Sequence, residues 1–307
     1  MSLKIVFMGT PEFAVPVLKS LKDSTHTLQL VLTKPPAKKN RGQKIIPSPV
    51  HSYSIKNNLS VRTPNDLNNE ELEIIKKLSP DIIVVVAYGK LIPNEFLRTI
   101  NSKFINVHAS ILPKWRGAAP IQRAIMNMDK ETGISIMKII PKLDAGPVMK
   151  VAKVKIDASM NYQNLSEKLS KLATKVLLDS LNLIKNKKEN FIPQDEKLAS
   201  YAKKIEKNET KINWTDNANK VIAKINAFNP NPGCWFEMNK TRIKVLKAIE
   251  IKKSGKPGEI IDQKFTIGCL NNSIQILELK PEGKKILSNS EFLRGYKLKV
   301  GTILNGI

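Results

Sequence analysis

The sequence predicts an α/β protein, a mostly parallel open sheet followed by a small β-barrel domain, and three observations carry that prediction. Over roughly the first half, short β-branched runs alternate with amphipathic helical stretches, the βαβ rhythm of a parallel sheet. Residues 81–87 form a β-branched run, apolar after Asp81, between Pro80 and Tyr88-Gly89, as a central strand buried on both faces requires. Beyond residue 204, β-prone runs at 233–237, 242–251, 258–262, 265–270 and 273–280 are separated by turn residues such as Asn239-Lys240, and such spacing suggests a barrel.

The elements follow in order. Residues 4–8 read as a buried strand, and Gly9-Thr10-Pro11-Glu12 as a turn into a helix over 13–21, with Thr10 as N-cap and Pro11 at N1. A G-x-G-x-x-G spacing is absent, so this first βα unit is not a dinucleotide fingerprint. Residues 27–33 form the next strand. The connection over 34–49 is extended and proline-punctuated, and carries Lys34, Lys38, Lys39, Arg41 and Lys44; composition alone leaves it either a functional or a solvated loop. Helices at 50–57 and 66–78 flank a short strand at 59–62. After the strand at 81–87 and the loop Tyr88-Gly89-Lys90-Leu91-Ile92, residues 104–107 make a strand whose alternation sends Asn106 and His108 to one side. The loop 110–117, punctuated by Pro113 and Gly117, leaves its carboxyl end, the edge where open α/β sheets bind ligands. A helix at 118–128, strands at 132–140 and 148–156, and a leucine-striped helix at 165–184 complete the first domain. Domain boundaries are expected at 1–188 and 205–307, joined by a polar linker at 189–204.

Composition narrows the function classes. A chain of 307 residues can bury a substantial core without a covalent staple, and its two cysteines, Cys234 and Cys269, have neither the number of a disulfide framework nor the spacing of a metal site. The apolar run at the amino terminus is too short for a signal peptide, and no stretch approaches the ~20 apolar residues that span a bilayer; a soluble cytoplasmic protein without membrane contact is expected. The formal charge of +24, from 51 Lys plus Arg against 27 Asp plus Glu, suits a polyanion partner. Only seven of those cations are Arg, so a lysine-rich composition is the alternative source of the charge.

Asn106, His108 and Asp144 are the residue types that acyl transfer needs. An amide donates to an oxyanion, imidazole moves a proton near neutral pH, and a carboxylate orients the imidazole or accepts a proton itself. Taken singly, Asn-x-His equally describes a hydrogen-bonded structural histidine, and Asp144 before Ala145-Gly146 a turn residue.

The order in which these residues occur is more specific. Asn106-Val107-His108-Ala109-Ser110-Ile111-Leu112-Pro113, then Arg116-Gly117-Ala118-Ala119-Pro120, then Leu143-Asp144-Ala145-Gly146-Pro147 closely resembles the 10-formyltetrahydrofolate-dependent formyltransferase family. Within that family the whole chain resembles the branch acting on methionyl-initiator tRNA: Gly9 to Phe13, Ala199 to Ile205, Ile212-Asn213-Trp214 and Leu279 to Lys285 all match it. The resemblance implies a Rossmann-like formyltransferase fold with an OB-like second domain, catalysis by Asn106, His108 and Asp144, and 10-formyltetrahydrofolate as co-substrate without a metal. It also implies folate contacts from Ser110, Ile111, Leu112 and Pro113, and from Tyr88, Gly89, Leu91, Ile92, Ile139 and Ile140. Lys38, Lys39, Arg41 and Lys44 correspond to the family's tRNA-contacting loop, with Arg41 at its critical arginine. A monomer working in bacterial or organellar translation is expected. The alternatives are a formyltransferase acting on a sugar nucleotide or on glycinamide ribonucleotide, and a non-catalytic nucleic-acid binder on the same scaffold; the second domain and the Arg41 region favour tRNA over the other two enzymes.

Overall fold

The computed structural model describes residues 2–39 and 44–304, in two compact units. The first comprises Met1–Pro120, Thr132–Val154 and Ser166–Ala202. Its centre is a seven-stranded sheet built, in chain order, from β1 (Lys4–Gly9), β2 (Thr27–Leu32), β5 (Val61–Arg62), β6 (Ile82–Val86), β7 (Lys103–His108), β9 (Glu131–Lys138) and β10 (Val148–Lys155). Between them lie β3 (Ala37–Lys39), β4 (Lys44–Ile46) and β8 (Arg116–Gly117), and helices α1 (Val15–Lys22), α2 (Pro49–Lys56), α3 (Asn69–Leu78), α4 (Asn94–Thr99) and α5 (Pro120–Met126). Helix α6 (Tyr162–Lys185) and the short β11 (Tyr201–Ala202) follow.

The order across the sheet is β10-β9-β7-β6-β1-β2-β5. Strands β5, β2, β1, β6 and β7 run parallel, whereas β9 pairs with β7 antiparallel. Ile5, Val6, Phe7 and Met8 in β1 and Ile82 to Val84 in β6 have no solvent exposure. Each such aliphatic side chain contributes roughly 1.5–3 kcal/mol through burial, so the two central strands act as the rigid base of the carboxyl edge. Register places Asn106 opposite Val85 on one side and Met137 on the other, and His108 opposite Ser135.

Several local expectations are corrected. The α-helix proper begins at Val15 rather than at residue 13, after a 3-10 turn at Glu12–Ala14, with Pro16 in its first turn. Thr10 does not cap it, because its hydroxyl donates instead to the Tyr88 carbonyl (2.8 Å) and ties the end of β1 to the end of β6. The connection over 34–49 contains an antiparallel pair, β3–β4, whose strands are too short to show a period in sequence. Residues 189–202, linker-like in composition, pack within the first unit: the Lys103 ammonium pairs with Glu189, Ile192 and Val148 form a backbone bridge, and β11 runs parallel to β8.

The second unit comprises Ile121–Glu131, Lys155–Leu165 and Lys203–Ile307. Its sheet is antiparallel and five-stranded, made of β12 (Cys234–Met238), β13 (Thr241–Ile251), β14 (Thr266–Gly268), β15 (Ser273–Pro281) and β16 (Leu287–Ser288). Ile121 to Met126 of α5 belong to this unit, and two further helices lie in it, α7 (Ala218–Phe228) and α8 (Asn289–Gly295), neither of which the sequence singled out. Residues 258–262 make only isolated bridges, Glu259 with Ile303 and Ile260 with Ile267. A run of ring contacts, Trp214 to Phe236 (5.6 Å), Phe236 to Phe265 (6.2 Å) and Phe265 to Phe292 (5.5 Å), forms the core. Both cysteine thiols lie buried there, and burial pushes each up to about 12, so neither is a nucleophile at neutral pH.

Candidate active site

Strand β7 delivers Asn106 and His108 to the carboxyl edge, and the turn after β9 brings Asp144 to them. Asn106 Nδ2 donates to Asp144 Oδ1 at 3.4 Å, and His108 Nδ1 stands 3.6 Å from Asp144 Oδ2. The other imidazole nitrogen, Nε2, lies 2.8 Å from the Trp115 carbonyl. A carbonyl only accepts, so Nε2 carries a hydrogen and Nδ1 is the atom that meets the carboxylate. His108 is buried and Asp144 nearly so, which leaves the three polar groups facing one sheltered corner.

Asp144 is held at both ends. Its Oδ2 accepts the Gly117 N–H (2.8 Å), while Gln194 Nε2 donates to its carbonyl (2.9 Å) and to that of Gly146 (2.7 Å). The residue has φ +45°, a left-handed conformation costing on the order of 1 kcal/mol outside glycine. Gly117 has φ +114°, and a Cβ there would lie 2.9 Å from the Ala202 carbonyl oxygen, so only glycine brings that N–H to the carboxylate.

Behind this corner Arg116 is buried, its guanidinium donating to Gln194 Oε1 (Nε 3.0 Å, Nη2 2.9 Å) and to Glu196 (Nη1 to Oε2 3.1 Å, Nη2 to Oε1 2.9 Å). Hydrogen bonds from Arg116 and then Lys142 hold the Glu196 carboxyl at about 2. Ser200 accepts the Trp115 N–H on its hydroxyl (3.0 Å) and the Arg116 N–H on its carbonyl (2.8 Å), which places the carbonyl that orients His108.

The loop after His108 is equally bonded. Ser110 is buried, its hydroxyl donating to the Lys114 carbonyl (2.5 Å) and its carbonyl accepting from Ser135 Oγ (2.7 Å), which in turn accepts the Leu112 N–H (3.1 Å). Leu112 is buried, Ile111 and Pro113 are partly exposed, and the Leu112–Pro113 peptide is cis. Tyr88 is buried in an apolar cluster with Val85, Phe96 and Phe104, against which Ile92 and Ile139 pack partly exposed. The Ile139 N–H bonds the Phe104 carbonyl (2.9 Å), so this apolar shelf lies two residues along β7 from Asn106. Burial pushes the Tyr88 phenol up to about 12, and its hydroxyl has no partner among the described residues. Gly89, at φ +74°, would meet the Lys34 ammonium if it bore a Cβ, and Ile140 is half-buried. Leu91 does not join the shelf: at 85 % exposure it points to solvent.

Of the basic loop, Lys38 and Lys44 are exposed on β3 and β4, and Lys39 stands opposite Lys44 in register; Arg41 lies outside the described residues. Among the described residues no group of His, Cys, Asp and Glu has the arrangement of a metal site. Arg116, Ser135, Gln194, Glu196 and Ser200 carry little local signature of a site, because their partners lie far off in sequence: Arg116 and Gln194 are 78 positions apart. The sole sequence signal was the Arg116-Gly117 dipeptide inside the matched motif.

The sequence profile for formyl transferase matches residues 3–181, and that for the formyl transferase C-terminal domain matches 204–297. The chain belongs to the formyl transferase family. Relatives within the family include the methionyl-tRNA formyltransferase of Pelagibacter ubique, 47 % identical over 310 residues and covering 100 % of both chains. That of Dictyoglomus thermophilum is 43 % identical over 97 % of this chain and 99 % of its own. Among solved structures, HypX from Aquifex aeolicus in complex with tetrahydrofolic acid superimposes with a TM-score of 0.68 at 17 % identity, over 98 % of this chain and 51 % of HypX. An N-formyltransferase from Helicobacter canadensis, with folinic acid and dTDP-3-aminofucose, also gives 0.68, at 19 % identity over 90 % and 99 %. These two likenesses extend the formyl transferase fold beyond the close relatives. Within both units, among the described residues, no helix is long and apolar enough to cross a membrane.

Proposed function

We propose that the protein transfers a formyl group from 10-formyltetrahydrofolate to the α-amino group of methionine esterified to initiator tRNA. The convergence of Asn106, His108 and Asp144 within 3.6 Å at the sheet edge carries this reading. The choice of acceptor rests on full-length relatives at 39–47 % identity that bear the methionyl-tRNA formyltransferase name. The formyl donor supplies an activated carbonyl carbon, and the residues present suit it. The partly exposed Ile92 and Ile139 offer a flat ring an apolar wall beside Asn106, and the buried Tyr88 hydroxyl lacks a partner among the described residues.

A free α-amine titrates at roughly 7.7–8.0, and esterification lowers this, so the nucleophile is largely neutral and needs no covalent enzyme intermediate. As the amine nitrogen bonds to the formyl carbon, negative charge develops on the formyl oxygen. Asn106 has two amide hydrogens and shares one with Asp144, which leaves the second for that oxygen. With Nε2–H committed to Trp115, His108 exchanges its proton through Nδ1, towards Asp144 or the reacting groups. Asp144 takes the proton that the amine sheds, the C–N bond to the folate breaks, and that nitrogen regains a proton. Lys38, Lys44 and Arg41 meet the phosphates of the acceptor end, and the protein acts as a monomer in the cytoplasmic or organellar translation compartment.

Incubation with 10-formyltetrahydrofolate and each acceptor in turn tests the reading. Formylmethionyl-tRNA should form at least a hundredfold faster than formylated dTDP-amino sugar or glycinamide ribonucleotide. Comparable rates on either small acceptor would overturn it.

A further inference from the structure

We propose that Gln194 is a positioning residue for the transfer reaction, setting the Asp144 carboxylate through the backbone of its turn. This rests on the reading of Asp144 as a reacting group.

Asp144 occupies a left-handed backbone conformation that side-chain-bearing residues avoid, so something must hold it there. Gln194 bonds both carbonyls of the turn, Asp144 O at 2.9 Å and Gly146 O at 2.7 Å, with a single Nε2. The orientation of that amide is unambiguous. Oε1 faces the Arg116 guanidinium at 2.9 and 3.0 Å, where only an acceptor fits, and Nε2 therefore faces the two carbonyls, where only a donor fits. Arg116 is fixed in turn by its forked contact with Glu196, which also holds Lys142 of the same turn at 2.8 Å.

Arg116 and Gly117 are neighbours in β8. The Arg116 side chain acts through Gln194 on the backbone of Asp144, and the Gly117 N–H acts directly on its carboxylate. The turn is thus gripped from both ends by one dipeptide, with Gln194 as the connecting piece. Gln194 itself is partly exposed, so water can replace its bonds at little cost in stability, but water does not fix the direction of two carbonyls. A displacement of ~1 Å at a reacting group costs about a hundredfold in rate.

Gln194→Glu keeps the acceptor for Arg116 and removes the donor to the turn; Gln194→Met keeps the length and removes both functions without adding charge. Each is assayed with 10-formyltetrahydrofolate and methionyl-tRNA beside Asp144→Asn. The expected result is a kcat lowered about 10- to 100-fold, with both KM values within roughly twofold of wild type and an unchanged thermal midpoint in Gln194→Met. Should Gln194→Glu fail to fold, Gln194→Met decides alone. Wild-type kcat in the Gln194 variants with Asp144→Asn inactive would overturn the positioning role and leave the catalytic reading standing. A rise in KM for tRNA at constant kcat would also overturn it. Full turnover by Asp144→Asn would remove the catalytic reading and this role together.

Discussion

The turn that carries Asp144 and the β3–β4 hairpin both leave the central sheet as polar loops, yet they are built in opposite ways. Around Asp144 each polar group described meets a partner of matched sense, from the Gly117 N–H on the carboxylate to the forked Arg116 behind it. The hairpin is an antiparallel pair of three-residue strands whose Lys38 and Lys44 are exposed and whose Ile45 is 70 % exposed. The difference follows from what each is asked to do. A reacting carboxylate must stand in one place, because transition-state stabilisation falls steeply with distance, whereas ammonium groups that meet a phosphate chain act through long-range charge and tolerate many geometries.

Four experiments sharpen or break that contrast. Replacing Asn106, His108 or Asp144 by Ala should lower kcat about 100- to 1000-fold, measured by formylmethionyl-tRNA formation; a folded variant with near-normal turnover breaks the catalytic side of it. Gly117→Ala places a Cβ 2.9 Å from the Ala202 carbonyl oxygen and moves the N–H away from Asp144. It should reduce kcat about 10- to 100-fold, and Gly117→Ser should do the same, since strain at φ +114° applies to both. For the hairpin, Lys38→Ala combined with Lys44→Ala should raise the KM for tRNA a few-fold and flatten its log–log salt slope by about one to two; an unaltered slope would mean that these ammonium groups meet no phosphate.

The smallest effect is on stability against pH. The Glu196 carboxyl is held at about 2 by Arg116 and Lys142, below its ordinary 4.5, so the folded state binds its proton less readily than the unfolded one. Its contribution is therefore complete above the unfolded value and is lost as pH falls from about 4.5 through 2. Acid unfolding curves of Glu196→Gln and wild type should differ above this window and converge below it. Curves that coincide at every pH would show that the ionised Glu196 carboxyl adds nothing to folding stability.

Much of the site is legible in the sequence. Period-two alternation put Asn106 and His108 on one side of β7, and the motif order brought in Asp144. The β-branched run at 81–87 announced a strand buried on both faces, and β6 spans Ile82–Val86 within it. At Thr10 a distant partner had taken over the group that the local rule used. Thr10 was free by sequence to cap a helix, but its hydroxyl serves the Tyr88 carbonyl 78 residues away. Leu91 is 85 % exposed, and side-chain direction in such a loop follows backbone angles that composition does not encode.

Read alone, then, the chain determined its family, its sheet, and the amide, imidazole and carboxylate that meet at the edge, since periodicity and motif spacing are local properties. Only the tertiary structure decided that residues 194–202, polar and linker-like, hold Asp144 through Gln194 and the Trp115 and Arg116 N–H groups through Ser200. Hydrogen bonds formed across some 50 to 85 positions leave no trace in local pattern, because their free energy depends on where folding places the two ends.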